Sequence, residues 1–391
     1  MWEFELELQE DPKSKNIDKV YYNAAIAYNK AKYYDSASRL FEKLVNDPRF
    51  QKSSFAADSL LNLAENYRLF FYFSKAIDAY LAHFKRYPNS SVRAYVYEKV
   101  AYLQMNTGDL RDAAATFVDY ATVFQGRKEA PKFYFQAGLI YERLKNVPEQ
   151  RRIWKGVIER YRSTMGQDGL VLQAMLRLAR IAKKQRKMKT ALKLWKEILR
   201  EFTRRQQPPN SPAAAAAAEA MWELLDREFT FFARLKVKGS VKRQRAVLAK
   251  KNSLAGQLTM KYANIIPFKI ADWSICAFYR QGEILRQFAQ TIYDAPEPKG
   301  ASEQMRDEIA TLKEDFVARL EDQALKKFAF AVLKARELNV TGKCATRALE
   351  AANKFDSERF PLFRKDFRRY VSKTVYSVDP SVRDLKKKKK K

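Results

Sequence analysis

Three residues of the types that most often carry metal or nucleophilic chemistry occur in this chain of 391: His83, Cys276 and Cys344. A zinc site needs four Cys, His or carboxylate ligands, usually arranged in close pairs, and these three lie far apart in sequence. His83 falls on the inner face of an amphipathic stretch with no catalytic partner near it, and reads as a packed core histidine. Cys344 follows the polar stretch Thr341-Gly342-Lys343, which reads as a turn; whether its thiol is reactive or inert is open. The eleven glycines are scattered, and Gly166-Gln167-Asp168-Gly169 reads as a loop, not a phosphate cradle. The expectation is no catalytic residue, no metal, no cofactor and no enzyme.

The other chemistry on offer is positive charge. Lys and Arg number 75 against 45 Asp and Glu, a formal charge of +30, of which the run Lys386 to Lys391 supplies six. Residues 1–100 are nearly balanced, whereas residues 101–200 hold 21 basic and 9 acidic groups. Two clusters stand out. Arg180, Lys183, Lys184, Arg186, Lys187 and Lys189 surround one turn; Arg234, Lys236, Lys238, Lys242, Arg243, Arg245, Lys250 and Lys251 follow one another with no carboxylate between them. A solvated face is the plain reading. Against it, like charges at i,i+3 and i,i+4 cost a helix a few tenths of a kcal/mol each, so unrelieved clustering points to an anionic partner: an acidic protein, nucleic acid or lipid headgroups.

The elements that must position these groups are helices. Gly (11) and Pro (13) are scarce, and 47% of the residues are apolar, which implies long helices, short turns and a sizeable core. No apolar run reaches about 18 residues, so no membrane-spanning segment is expected. The start, Met1-Trp2-Glu3-Phe4-Glu5-Leu6, lacks the pattern of a signal peptide; it suits either a cytoplasmic protein or a piece of a longer chain.

Small residues recur against large ones with a fixed period. Ala24-Ala25 and Tyr28 precede Ala37 and Phe41; Leu63-Ala64 and Tyr67 precede Ala76, Tyr80 and Pro88; Val100-Ala101 precede Ala113 and Phe117; Ala137-Gly138 and Tyr141 precede Trp154; Leu178-Ala179 precede Ala191 and Trp195. Positions 37, 76, 113, 150 and 191 are equivalent, although Gln150 stands where the others have Ala. Each unit reads as two amphipathic helices, brought close by the small pair and sealed by the later aromatic.

With its large residue, apolar-small pair, Tyr, Ala, aromatic and Pro at set offsets, this pattern resembles the tetratricopeptide repeat. The second unit (Leu60, Leu63-Ala64, Tyr67, Ala76, Tyr80, Pro88) departs from it only at His83. The resemblance implies an all-α helical-repeat solenoid and a non-catalytic interaction scaffold. After the turn Pro208-Pro209-Asn210-Ser211-Pro212, a helix capped by Ser211 should run to about Leu235, and another from Ser240 to Ala263. An elongated unit follows over 272–338, with Trp273, Cys276-Ala277 and Arg280 in its first helix and Ala324, Phe328 and Ala331 in its second. The resemblance makes Cys276 a buried thiol packing as a small hydrophobe. A capping helix over 345–355 ends the series. The stretch 265–365 resembles the C-terminal part of large tetratricopeptide proteins of delta-proteobacteria, associated with the cell envelope and in some cases gliding motility; this implies periplasm or envelope, with the cytoplasm as the alternative.

The expected organisation is a flanking segment (1–16), five repeats (17–204), a linker and basic helical insertion (205–271), the elongated unit and cap (272–365), and a basic tail (366–391). Counting from the small pairs, the concave groove should be lined by Tyr22, Ile26, Asn29 and Lys30; Leu61, Glu65, Arg68 and Leu69; Glu98, Tyr102 and Met105; Phe135, Leu139 and Arg143; and Arg180, Lys183 and Lys184. The expected partner is a protein or peptide of acidic character. Nucleic acid, bound through the basic region 180–251, is the second choice.

Overall fold

A computed structural model describes residues 14–297 and 302–362; the tail and most of the N-terminal flanking segment lie outside the described residues. Among those described there is no strand. The repeat pattern is realised as ten helices in sequence: α1 (Ile17–Lys30), α2 (Tyr34–Asn46), α3 (Ala56–Leu69), α4 (Phe73–Arg86), α5 (Arg93–Thr107), α6 (Leu110–Val123), α7 (Ala130–Arg143), α8 (Val147–Tyr161), α9 (Asp168–Lys184) and α10 (Met188–Arg204). Five more follow: α11 (Pro212–Arg234), α12 (Val241–Ala263), α13 (Ala271–Tyr293), α14 (Glu303–Glu337) and α15 (Lys343–Phe355). The fold is an all-α helical-repeat solenoid, divided into two compact units between Leu194 and Trp195.

In the first unit every helix from α1 to α8 packs on the next. The turns are too short for anything but a reversal, so neighbours run antiparallel. The equivalent small positions are sealed: Ala37, Ala76, Ala113 and Ala191 have no exposed surface. Gln150, the departure from Ala, is buried too, and its Nε2 donates to the Tyr141 carbonyl at 3.1 Å. That bond satisfies a polar side chain which would otherwise be costly inside. The aromatics Phe41, Tyr80, Phe117 and Trp154 are fully enclosed. His83 is buried with its ring 5.3 Å from that of Tyr87, and burial, only partly offset by the charge of Asp58, depresses its pKa. It is a core residue.

In the second unit Ser211 caps α11 as expected, its Oγ accepting from the Ala214 amide at 3.1 Å, with Pro212 in the first turn. The alanine run Ala213–Ala218 is almost wholly buried. On α13, Arg280 is buried in a nest of rings, its guanidinium 4.0 Å from the Phe229 centroid and 4.6 Å from Trp222, and it pairs with Asp226 at 2.7 Å. Ring faces and a carboxylate together make a buried guanidinium tolerable. Phe328 of α14 packs so closely on α13 that a β-carbon at Gly282 would come 2.6 Å from its ring.

Two expectations are corrected here. Cys276 is buried but is not a free thiol: it forms a disulfide with Cys344, which sits in the first turn of α15 and not in a separate turn. The elongated unit and its cap bring the two together across 68 residues of sequence, a proximity that sequence spacing does not disclose. Lys251, counted with the exposed basic cluster, has no exposed surface. Its Nζ donates to the Leu235 carbonyl at 3.1 Å and to Thr291 Oγ1 at 2.6 Å, over the Phe232 ring. Burial pushes the amine down to about 8. It is a structural tie among α11, α12 and α13.

Candidate functional site

The residues expected to line a groove lie on α1, α3, α5, α7 and α9, and their settings differ. On α1, Tyr22 is half-buried, stacked on Phe55 at 4.8 Å and edge-on to Phe41. Ile26 packs against the core formed by Ala25, Ala37 and Phe41. Asn29 accepts from Asn66 Nδ2 at 2.8 Å, and Lys30 is exposed. On α5, Glu98 is half-buried, Tyr102 lies edge-on to Phe117 and Phe133, and Met105 Sδ faces Gln136 Nε2 at 3.8 Å.

On α3, Leu61 packs on the core beneath it and Leu69 is exposed, while Glu65 gathers a polar cluster. The hydroxyls of Tyr80 and Tyr95 each donate to Glu65 Oε1 at 2.5 Å, and Arg68 Nε donates to Oε2 at 2.9 Å. Burial raises the Glu65 carboxyl, but the hydrogen bonds from Tyr80, Tyr95 and Arg68 outweigh it and hold the pKa below the usual carboxylate value. The same bonds, added to burial, raise both phenols. Glu65 is therefore an ionised, fully engaged acceptor that fixes the α3 face against α4 and α5. Such a group positions other groups; it has no proton to exchange near neutral pH.

A concavity lies between α7 and α9. It is a cleft of about 200 Å³ with Trp154 and Gln150 of α8 at its floor. Glu142, Lys145 and Val147 form one wall; Arg177, Arg180, Ile181, Lys184 and Gln185 form the other. Arg177 stands over the Trp154 ring at 5.2 Å and pairs with Glu142 at 2.8 Å, tying the walls together. Arg151 reaches Gln185 at 2.7 Å. Trp154 itself is sealed beneath Arg177, so the cleft offers the apolar surface of Val147 between cationic walls, which suits an apolar side chain flanked by carboxylates.

Of the fifth repeat's expected residues, Arg180 and Lys184 line this cleft, and Lys183 is exposed beside them. Arg143 is exposed and Leu139 half-buried. Phe135, expected in the groove, is buried against Trp154, with ring centroids 4.9 Å apart; it belongs to the core because Trp154 draws both rings inward. Arg177 was missed by counting from the small pair. Its spacing of three from Arg180 puts both on one helical face, a signal present in the sequence. Seven members of the second basic cluster, Arg234, Lys236, Lys238, Lys242, Arg243, Arg245 and Lys250, are exposed around the end of α11 and the first half of α12.

No helix among the described residues is long and apolar enough to cross a membrane, and no group of three or more His, Cys, Asp or Glu residues among them could hold a metal ion. No protein-family model matches the chain, and no curated relative matches its sequence. Solved structures do align with it at low similarity. One is a tetratricopeptide repeat protein from Parabacteroides merdae, 11% identical, covering 76% of this chain and 98% of that one with a TM-score of 0.31. Another is the C-terminal part of a TPR repeat-containing protein from Cytophaga hutchinsonii, 15% identical, covering 67% and 88% with a TM-score of 0.35. A third is Naa15/Naa10 bound to HypK-THB, 14% identical, covering 90% of this chain and 55% of that one with a TM-score of 0.39.

Proposed function

We propose that this chain is a non-catalytic scaffold whose first unit binds a protein segment across α1, α3, α5, α7 and α9, anchored in the cleft between α7 and α9. The observation that carries this reading is the cleft itself, with the apolar Val147 at its rim and Arg180, Lys184 and Lys145 on its walls. The segment it suits is acidic and carries an apolar side chain. A rigid repeat surface takes up such a ligand without ordering itself, which keeps the entropy cost of binding low. The test is titration with a fluorescent peptide in which glutamates flank a phenylalanine, against the same peptide with lysines in place of the glutamates. Affinity for the acidic peptide that weakens with salt supports the reading; equal affinity for both peptides sinks it.

A bacterial envelope or motility-type assembly is the setting we attach to this scaffold. The Cys276–Cys344 disulfide supports it, because such bonds persist mainly in oxidising compartments such as the periplasm. Alkylation of the protein in freshly opened cells, read by gel shift, tests the setting: thiols free to react there would favour the cytoplasm.

Nucleic acid is the second reading, favoured by the exposed cations of 234–250, a stretch without a carboxylate. Tight binding to random-sequence RNA with a steep log–log salt slope would promote it above the scaffold.

A further inference from the structure

Four of the five turns inside the repeats of the first unit share one hydrogen-bond pattern. Tyr33, Tyr72, Asn146 and Lys187 each donate their amide to the carbonyl five residues back, at Tyr28, Tyr67, Tyr141 and Ala182. This is the Schellman ending of a helix, and it places one residue per turn in the left-handed region, a position that favours glycine. Here that residue is Lys32 (φ 65°), Phe71 (φ 61°), Lys145 (φ 56°) or Arg186 (φ 60°); only the third turn has glycine, Gly108. In the second unit the same ending holds the uncharged Gln206 and Asn339. A β-carbon is disfavoured in this conformation, and the first unit accepts that strain four times, each time for a long cation or an aromatic ring.

Because neighbouring helices are antiparallel, all five turns lie at one edge of the unit. The side chains there point outward. Phe71 is 78% exposed, Tyr33 59% and Tyr72 56%, and Leu69 joins them. Lys32, Lys145, Arg186 and Lys187 are exposed along the same row. The only carboxylate within these turns is Asp109, which accepts from Thr107 Oγ1 at 2.7 Å; behind them Asp35 and Glu149 are paired with Arg39 and Arg152. The opposite edge differs. Its aromatics are tucked in, with Phe50 buried and Phe55 and Tyr87 half-buried, and its Arg49 and Lys128 lie against Asp47 and Glu129, although it also exposes Met165, Lys52 and Arg127.

We infer that the edge formed by these turns docks on an anionic lipid bilayer, with Phe71 and its neighbours entering the headgroup region and Lys32, Lys145 and Arg186 lying on the phosphates. Rings and basic stems that project singly from a row of turns match the interface of a bilayer, where an apolar tip and a cation are both accommodated. Leu69 and Phe71 would gain nothing from a polyanion that offers charge alone. Lys145 belongs both to the wall of the cleft between α7 and α9 and to this edge, so the edge is tested with substitutions at Lys32, Phe71 and Arg186, none of which lines the cleft.

The test uses the whole chain and unilamellar vesicles of phosphatidylcholine with or without phosphatidylglycerol. In Phe71→Trp, the difference in tryptophan emission from the parent protein should shift to the blue when phosphatidylglycerol vesicles are added, and a quencher carried on the lipid should reach it. The triple variant Lys32→Gly, Phe71→Gly, Arg186→Gly should partition at least about tenfold more weakly, while its thermal midpoint is not lowered, because glycine suits all three positions. Sedimentation with vesicles without any emission shift would mean that other basic regions bind the lipid, and would overturn the inference. So would loss of binding to polyglutamate or RNA in the triple variant with vesicle binding unchanged, which would assign the edge to a macromolecular polyanion.

Discussion

A β-carbon placed on Gly138 of α7 would come 2.3 Å from Cη2 of Trp154 on α8. The fourth repeat therefore carries its glycine against a tryptophan plug, where the first three repeats use Ala against Phe or Tyr; the fifth has Ala179 and Trp195 at the equivalent positions. Gly138→Ala should destabilise the first unit by about 1–3 kcal/mol, the usual cost of overpacking a rigid interior. Urea denaturation followed by far-ultraviolet circular dichroism would show it as a lower midpoint. Because Trp154 is also the floor of the cleft, the ring displaced by the new methyl should report the change as altered tryptophan emission. An unchanged midpoint would mean that α7 and α8 separate freely, contrary to the close packing described.

Glu65 holds two phenols and a guanidinium with one carboxylate. Glu65→Ala leaves the hydroxyl of the enclosed Tyr80 without its acceptor, a loss of about 1–3 kcal/mol. Since the folded pKa is depressed, Glu65 holds fewer protons folded than unfolded in the acid range. Its contribution is full above the ordinary carboxylate range and is lost as pH falls through the folded value. Comparing the parent with Glu65→Ala from neutral to acid pH should show the gap between their midpoints closing; a gap that stays constant would mean the carboxyl titrates normally.

The repeat was legible because it is written in volume: Ala37, Ala76 and Ala113 against Phe41, Tyr80 and Phe117 set the helix spacing locally, within one turn-linked pair. The cap at Ser211-Pro212 was legible for the same reason. What escaped depends on pairs distant in sequence. Cys276 and Cys344 meet only because α13 and α15 pack on each other, and Lys251 is enclosed only because Leu235, Thr291 and Phe232 converge on it. Both are polar or reactive residues in segments whose local pattern suits either burial or exposure. In the candidate site, periodicity alone puts Arg180 and Lys184 on the exposed face that lines the cleft, whereas the burial of Phe135 depends on Trp154 of the next helix, which helical phase does not disclose.

The disulfide closes a loop of 68 residues. Chain-entropy arguments set its contribution near 4 kcal/mol at most, and 2–4 kcal/mol is a realistic range. Adding dithiothreitol, or replacing both cysteines by serine, should lower the unfolding transition of the second unit and leave that of the first in place. Differential scanning calorimetry with and without reductant would separate the two. If the first unit's transition moves as well, the units do not unfold independently.

Lys251 contributes stability that rises with pH, in a window it shares with tyrosines whose phenols burial raises and which contribute the opposite slope. Its folded pKa is about 8, below the ordinary lysine value of 10.5, because the buried amine is costly to charge. Between these values the unfolded chain binds more protons at this site than the folded one, so its contribution increases as pH rises from about 8 to about 10. Lys251→Met removes the titrating group but keeps the length of the side chain. Urea midpoints for parent and variant at neutral pH and near pH 10 should show the parent gaining on the variant as pH rises. An identical pH dependence in both would mean that water reaches the amine.

Lys183 and Lys184 are exposed at the end of α9, and the residues that hold this helix in the core, Ala179 and Ala182, point the other way. Reversing both lysines to glutamate should change folding stability by no more than about 0.5 kcal/mol, as for surface substitutions remote from caps and cores. Affinity for the acidic peptide should nevertheless fall, chiefly through slower association if the charges act from the rim of the cleft, and the effect should shrink as salt is added. Stopped-flow mixing at low and high ionic strength distinguishes a rim from a seat. A slower on-rate with an unchanged off-rate places the lysines at the rim; a faster off-rate places Lys184 against the bound segment. If neither rate changes at low salt, the cleft is not where the acidic segment binds.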